Sequence, residues 1–289
     1  MAVKAAVKLQ PILDADVEEV ADYLQSTLSS HVTSAQWAAA MRAPWQHDAP
    51  NHGVFLRANG SVVGAYLALY SVRDVRGESI PVCNLAAWCV DPDYRFSSVR
   101  MLKALLAQEG YSFVDLSPSG NVIALNERLG FIHLDTSTAL VANLPWPTMP
   151  GRFSVSSDPG RIEAVLTGPE LQIYRDHAAA PAARHLLLES PSGHSHVMYR
   201  RDRRKNLPIF ATILYASDPA VLRSMRSSLC RHLLVRHGLP FLLIETRVAG
   251  QRMRPSVVLS THRRKMFKST TLQAEEIDNL YSELVAVAW

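Results

Sequence analysis

Apolar positions in this chain recur with two periods, and the switches between them outline its elements. Lys8 to Ile12 reads as a short strand. Val17, Val20, Leu24 and Leu28 then repeat at helical spacing behind Asp16-Val17-Glu18-Glu19, a capping-box pattern in which Asp16 is placed to accept unpaired amides. Ser30 to Asn51, with Trp37 and Trp45, reads as a helix and a loop. Val54-Phe55-Leu56-Arg57 and Val62 to Tyr70 flank Asn59-Gly60, which tolerates the positive φ of a tight hairpin turn. Val82 to Val90 is a further strand. Ser97 to Gln108 reads as a helix with Val99, Leu102 and Leu106 inward, closed by Gly110. Tyr111 to Leu116 is a strand, a short helix ends at Gly130, and Phe131 to Leu134 begins the last strand of this half.

Pro145, Pro147 and Pro150-Gly151 bar regular structure, so the boundary is expected there, between domains at 1–145 and 151–289. The plan then repeats. Leu186 to Glu189, Ser192-Gly193 and His196 to Arg200 form a second hairpin, and Pro208 to Tyr215 is a buried-type strand. Asp218-Pro219 is an N-cap with a favoured first-turn proline. Leu222, Met225, Leu229 and Leu233 face inward behind it. Arg236 and His237 suit the negative end of that helix, and Gly238 closes it. Leu239 to Thr246 is the next strand. Hairpin, strand, long helix, glycine and strand thus occur twice, which reads as two α/β domains in tandem, although any α/β chain shows something of this order. Leu284, Val285, Val287 and Trp289 suggest a buried final strand.

Composition narrows the class. A length of 289 residues suits two domains, and 48% apolar residues supply their cores. The net charge of +4 permits an anionic ligand, but no basic stretch is interleaved with aromatics, so nucleic acid is not expected. Cys83, Cys89 and Cys230 form no CxxC pair and no even disulfide framework, which points to the cytoplasm. No apolar run is long enough to span a membrane, and the N-terminus is a poor signal peptide. His194 and His196 have no carboxylate or cysteine at ligand spacing, so no metal is expected. Arg200-Arg201-Asp202-Arg203-Arg204-Lys205 reads as a solvated loop, with contact to an anionic partner as the alternative.

Two stretches carry candidate chemistry. Val90-Asp91-Pro92-Asp93-Tyr94-Arg95-Phe96-Ser97-Ser98-Val99-Arg100 runs from a strand end into a helix, and Asn126-Glu127-Arg128-Leu129-Gly130-Phe131 follows. Together they resemble the two signature motifs of the GNAT acyltransferase superfamily. The resemblance covers residues from about 5 to 140 by motif and the rest by topology. It implies two tandem GNAT-like domains of the α/β (α+β) class, each a splayed, mixed, mostly antiparallel sheet flanked by helices. It also implies acyl transfer from acyl-CoA, with acetyl-CoA first among donors, or from a carrier-bound thioester, to an amine or hydroxyl of a small molecule. An acyl carrier protein is then a partner, and the second domain shapes the acceptor site.

In that superfamily the turn binds pyrophosphate through consecutive amides at a helix start. Val90, Arg95, Phe96, Ser97, Ser98, Val99 and Arg100 take those positions here. Arg95 matches, whereas Ser98 and Arg100 replace small residues, glycine among them. A serine amide and hydroxyl still suit phosphate, and a plain strand–helix connection is the other reading. Asn126 occupies the place of a tyrosine that protonates the thiolate, and asparagine does not deliver a proton; it reads otherwise as a helix-surface residue. The resemblance places the acyl group along the strand before the turn, lined by Trp88, Cys89 and Val90. Cys89 reads either as a nucleophile or as a core thiol. Asp115, Glu78 and His52 are the candidate bases, and Ser117, Ser119 and Asn121 line a cleft or cap a turn. Ala216-Ser217-Asp218-Pro219 has no glycine-rich turn, so the second domain is not expected to hold CoA in the same way. A non-catalytic binding protein, and an enzyme using the cleft for decarboxylation or hydrolysis of a thioester, remain the alternatives.

Overall fold

A computed structural model describes residues 6–29, 31–46, 48–147, 153–204 and 207–288. Along the chain, β1 (Lys8–Pro11) leads through a 3-10 turn into α1 (Val17–Thr27) and α2 (Ser34–Met41). The Asp16 carboxylate accepts the Leu13 amide at 3.0 Å, so it closes the turn before α1 and does not cap α1 itself. The hairpin β2 (Gly53–Ala58) and β3 (Ser61–Val75) follows, then β4 (Glu78–Val90). Asn59 and Gly60 both have positive φ, as that turn requires. A 3-10 turn at Pro92–Ser97 opens into α3 (Ser98–Leu106), and then come β5 (Ser112–Asp115), α4 (Asn121–Arg128), β6 (Ile132–His133) and β7 (Thr138–Ala142). The buried stripe of α3 is Met101, Leu102 and Leu105, because the 3-10 turn delays its start; Val99 is exposed.

The second half continues with β8 (Ser154–Ser156), α5 (Pro159–Val165) and α6 (Gly168–His177). The hairpin β9 (Arg184–Ser190) and β10 (Gly193–Arg204) precedes β11 (Leu207–Ala216), α7 (Pro219–Ser224) and α8 (Arg226–His237). Asp218 caps α7 through its carboxylate, and Gly238 closes α8 in the left-handed conformation. β12 (Phe241–Glu245), α9 (Thr246–Ala249), β13 (Val257–Val258), β14 (Met266–Lys268) and α10 (Glu283–Ala286) complete the chain. The C-terminal apolar run is therefore a buried helix turn followed by extended chain, not a strand; Trp289 lies outside the described residues. The basic run at 200 is also not a loop. It continues β10, with Arg200 and Asp202 buried and Asp202 accepting from Thr212 Oγ1; Lys205 lies outside the described residues.

The strands form two mixed seven-stranded sheets, in the orders β1-β2-β3-β4-β5-β14-β6 and β13-β7-β12-β11-β10-β9-β8. One neighbouring pair in each sheet is parallel, β4 with β5 and β11 with β12, and every other pairing is antiparallel. Read from opposite ends, the sheets match position for position. The strand between β5 and β6 comes from late in the second half, and its counterpart β7 comes from the first. The compact units follow this exchange: Met1–Leu134 with Lys265–Ile277 and Tyr281–Trp289, and Asp135–Arg264 with Asp278–Leu280. The chain leaves the first unit before β7, ahead of Pro145 and Pro147; Pro150-Gly151 lies outside the described residues.

In the first unit, Tyr66, Leu85, Leu102 and Met266 belong to a core between the sheet and α3. In the second, Leu188, Tyr199, Leu229 and Leu242 do the same against α7 and α8. Among the described residues, no helix is long and apolar enough to cross a membrane.

Candidate active site

β4 and β5 stay together only briefly. Val82, Cys83 and Asn84 pair with Ser112, Phe113 and Val114, and beyond them β4 runs on to Val90 paired with β3. At the parting Tyr66 faces Trp88 and Ala68 faces Leu85, so Ala86 and Ala87 stand against Leu67 alone. Such a bulge bends its strand. Past Asn84 and Val114 the pairing of β4 with β5 ends, which leaves a gap in the first sheet with backbone groups of β4 along one side. The Tyr66 and Trp88 rings stack at 4.4 Å beside it.

Polar side chains gather at the root of this gap. Asp115 ends β5, Asn126 projects from α4, Asn84 belongs to β4, and Glu283 opens α10; all four are buried. Asn126 Nδ2 donates to Asp115 Oδ2 at 2.8 Å. Asn84 Nδ2 donates to one oxygen of Glu283 at 2.6 Å, and Ser117 Oγ donates to the other at 2.5 Å. Burial, and then the Glu283 charge, raise Asp115 to about 7, against smaller opposing effects from Asn126 and Ser117. A carboxyl poised near neutrality suits proton transfer. Burial and the same carboxylates push the Tyr66 hydroxyl well up, so it stays protonated.

The predicted residues divide. Asp115 and Asn126 are brought together, and Asn126 is fully buried, so the helix-surface reading fails. Ser117 joins them, while Ser119 is exposed in the turn before α4 and Asn121 is exposed at the first position of α4. Cys89 lies close to Tyr23 of α1, and burial raises its thiol to about 12, which leaves it protonated and a poor nucleophile. His52 pairs with Asp14 at 2.8 Å near β1. Glu78 is exposed at the far end of β4 from the gap.

The strand–helix turn is wound tight. Pro92–Ser97 form a 3-10 turn that runs straight into α3. The Tyr94 amide donates to Asp91 O, and both the amide and the hydroxyl of Ser98 donate to Arg95 O. Ser97 is buried, Phe96 and Val99 are exposed, and Val90 packs into the core over Gly64. Arg95 and Arg100 are exposed at the mouth of the turn. These residues offer two guanidinium groups to an anion. Of the turn's amides, those of Tyr94 and Ser98 are directed onto Asp91 O and Arg95 O and not outward.

The solved structures resembling this arrangement include a GCN5-related N-acetyltransferase from Anabaena variabilis ATCC 29413, with a TM-score of 0.59 and 10% identity over 91% of this chain and 72% of that one. Another is a GCN5-related N-acetyltransferase from Kribbella flavida, with a TM-score of 0.58 and 14% identity over 92% and 72%. The chain has the GNAT fold. No family model and no curated protein matches the sequence.

Within the GNAT fold of this chain, sequence reasoning missed Asn84 and Glu283. Asn84 has no distinguishing local pattern. Glu283 did leave a signal, a lone carboxylate at the head of the apolar run Leu284-Val285-Ala286-Val287. A charge is rarely buried unless it is paired, so its companions are the natural question.

Proposed function

We propose that this protein transfers an acyl group from a thioester to an amine or hydroxyl of a small molecule, using the gap between β4 and β5. The observation that carries the reading is Asp115, raised to about 7 at the root of that gap and held by Asn126. The donor is acyl-CoA, with acetyl-CoA the first choice, or the thioester arm of an acyl carrier protein. The thioester supplies an activated acyl carbon and a thiolate leaving group.

The chain's own residues supply the rest. Backbone amides of β4 along the gap polarise the acyl carbonyl. Asp115 takes the proton released by the attacking amine or hydroxyl. Asn126 holds that carboxylate in place and does not act as an acid. Trp88 and Tyr66 wall the gap with apolar surface. Arg95 and Arg100 attract the negative charge of the donor.

Calorimetric titration of acetyl-CoA and longer acyl-CoAs into the protein tests the donor, with Arg95→Glu as control. Saturable binding lost in the variant supports acyl-CoA. The absence of binding at millimolar ligand excludes it and moves the test to carrier-bound thioesters. The closed Ser98 turn favours a second reading, a GNAT-fold binding protein without catalysis. Turnover of a thioester that requires both an acceptor and Asp115 would exclude that reading, while turnover without an acceptor points to hydrolysis or decarboxylation.

A further inference from the structure

The second unit carries a cavity of about 700 Å³ beside α7, α8 and the segment after α9. Among the described residues its lining holds four arginines, Arg223, Arg226, Arg252 and Arg254, and no carboxylate. Three of these side chains are fastened to backbone oxygens. Arg223 donates to Ala249 O, Arg226 to Arg254 O at 2.6 Å, and Arg252 to Ser256 O at 2.5 Å. Arg226 also lies over the Trp146 ring at 5.9 Å.

A carbonyl fixes the direction of a guanidinium but does not neutralise it. Each of the three is therefore oriented, still fully charged, and left with further N–H donors, since a guanidinium has five. Gly250 reinforces this arrangement. It has a φ of +71°, and a Cβ there would lie 2.9 Å from Arg223 Nη1. The glycine leaves the space through which Arg223 reaches Ala249. Arg226 and Ser227 open the 12-residue α8, whose start has no side-chain cap and carries the positive end of the helix dipole.

From these observations we propose that the second unit binds a small phosphorylated molecule in this cavity. Four like charges around one cleft repel each other, and a multiply charged anion relieves the repulsion. Planar guanidinium groups match phosphate oxygens in pairs. The volume falls within the range of small-molecule sites, about 300–1,000 Å³. It exceeds what a bare phosphate fills, and buried Met253 supplies apolar surface for the rest of the ligand. This site is independent of Arg95, Arg100 and the gap in the first unit, so it stands or falls apart from the acyl-transfer reading.

The test is calorimetric titration of pyrophosphate, as the probe anion, into the full chain at about 50 mM and 200 mM salt. Arg254→Gln is the first variant, because Arg254 holds Arg226 through its backbone oxygen while its side chain makes no hydrogen bond or ion pair among the described residues; the double variant Arg252→Gln/Arg254→Gln is the second. We expect one saturable site that weakens with salt. The double variant should lose at least tenfold in affinity and the single variant part of that, with the thermal midpoint of the single variant unchanged. Arg95→Glu should bind pyrophosphate like the parent. The proposal is overturned if the parent shows no saturation at millimolar probe, or if the double variant binds as tightly as the parent. Loss of binding in Arg95→Glu overturns it too, because the anion would then sit in the first unit.

Discussion

Asn84 and Glu283 are joined by a 2.6 Å hydrogen bond across 199 positions of sequence, inside the first unit. The other carboxylate oxygen of Glu283 holds Ser117, just past the end of β5. One side chain from α10 thus ties together the two sides of the gap where β4 and β5 part. Replacing it with alanine leaves two buried polar groups without their acceptor, at roughly 1–3 kcal/mol each. Glu283→Ala should lower the stability of the first unit by about 2–6 kcal/mol, read from the denaturant midpoint. Glu283→Gln keeps an acceptor and should cost less. Because the Glu283 charge helps raise Asp115, either variant should also move the Asp115 titration down from about 7, as read by carboxyl-carbon NMR.

Asp115 has a stability signature of its own. Its pKa is raised in the fold, from 3.8 to about 7. Between these values the unfolded chain loses the proton while the folded chain keeps it. Stability from this group is therefore full below about pH 4 and is lost as pH rises through 7. Asp115→Asn should be more stable than the parent at pH 8, on the order of 2 kcal/mol, and nearly equal to it at pH 4. Urea melts at the two values check this. Acyl transfer should fall in the same variant by at least a hundredfold if Asp115 is the base.

Local chemistry made some of this architecture readable and distance hid the rest. Asn59-Gly60 announced its hairpin because the turn needs positive φ at both positions, and Asp218-Pro219 announced α7 by capping. These signals act over a few residues. β14 gave none: Met266–Lys268 pairs with β5 and β6, more than a hundred positions earlier, and nothing local separates it from β7 as their partner. The site divided in the same way. Asp115 and Asn126 lie eleven positions apart and were found; Glu283 reaches them only through the fold. The turn at Ser98 had a recognisable frame, but whether its amides were free depended on the 3-10 winding of Pro92–Ser97.

The second unit should be sensitive to acid. His177 of α6, His185 of β9 and His196 of β10 are packed together, with the last two rings stacked at 5.3 Å. If His185 Nε2–H donates to His177 O at 3.2 Å, its Nδ1 accepts from His196 Nε2–H at 3.1 Å. That leaves His196 Nδ1 as a buried acceptor with no partner. Burial lowers His177 and His185 to about 4 and His196 to about 3. Their unfolded value is near 6.5, so below it the unfolded chain binds more protons. Stability should be full above about pH 6.5 and fall toward pH 4, by at most about 1.4 kcal/mol per pH unit for each histidine. Urea midpoints from pH 7.5 to 4.5 measure the slope, and His196→Phe should flatten it.

Gly53 connects backbone geometry to the gap. It has a φ of +117°, and a Cβ there would lie 2.1 Å from Tyr66 O and 2.8 Å from the Ala68 amide. These atoms flank Leu67, the residue that faces the bulge at Ala86 and Ala87. No side-chain rotation relieves a clash with backbone, so β3 itself has to move. Gly53→Ala should cost about 3 kcal/mol or more in the denaturant midpoint, with strain and collision acting together. Gly60→Ala, with positive φ but open space around it, should cost only about 1 kcal/mol. The comparison isolates the collision. Because β3 carries Tyr66 against Trp88, the surviving folded fraction of Gly53→Ala should also turn over thioester more slowly than that of Gly60→Ala, and per-folded-molecule rates would separate a displaced gap from simple loss of protein.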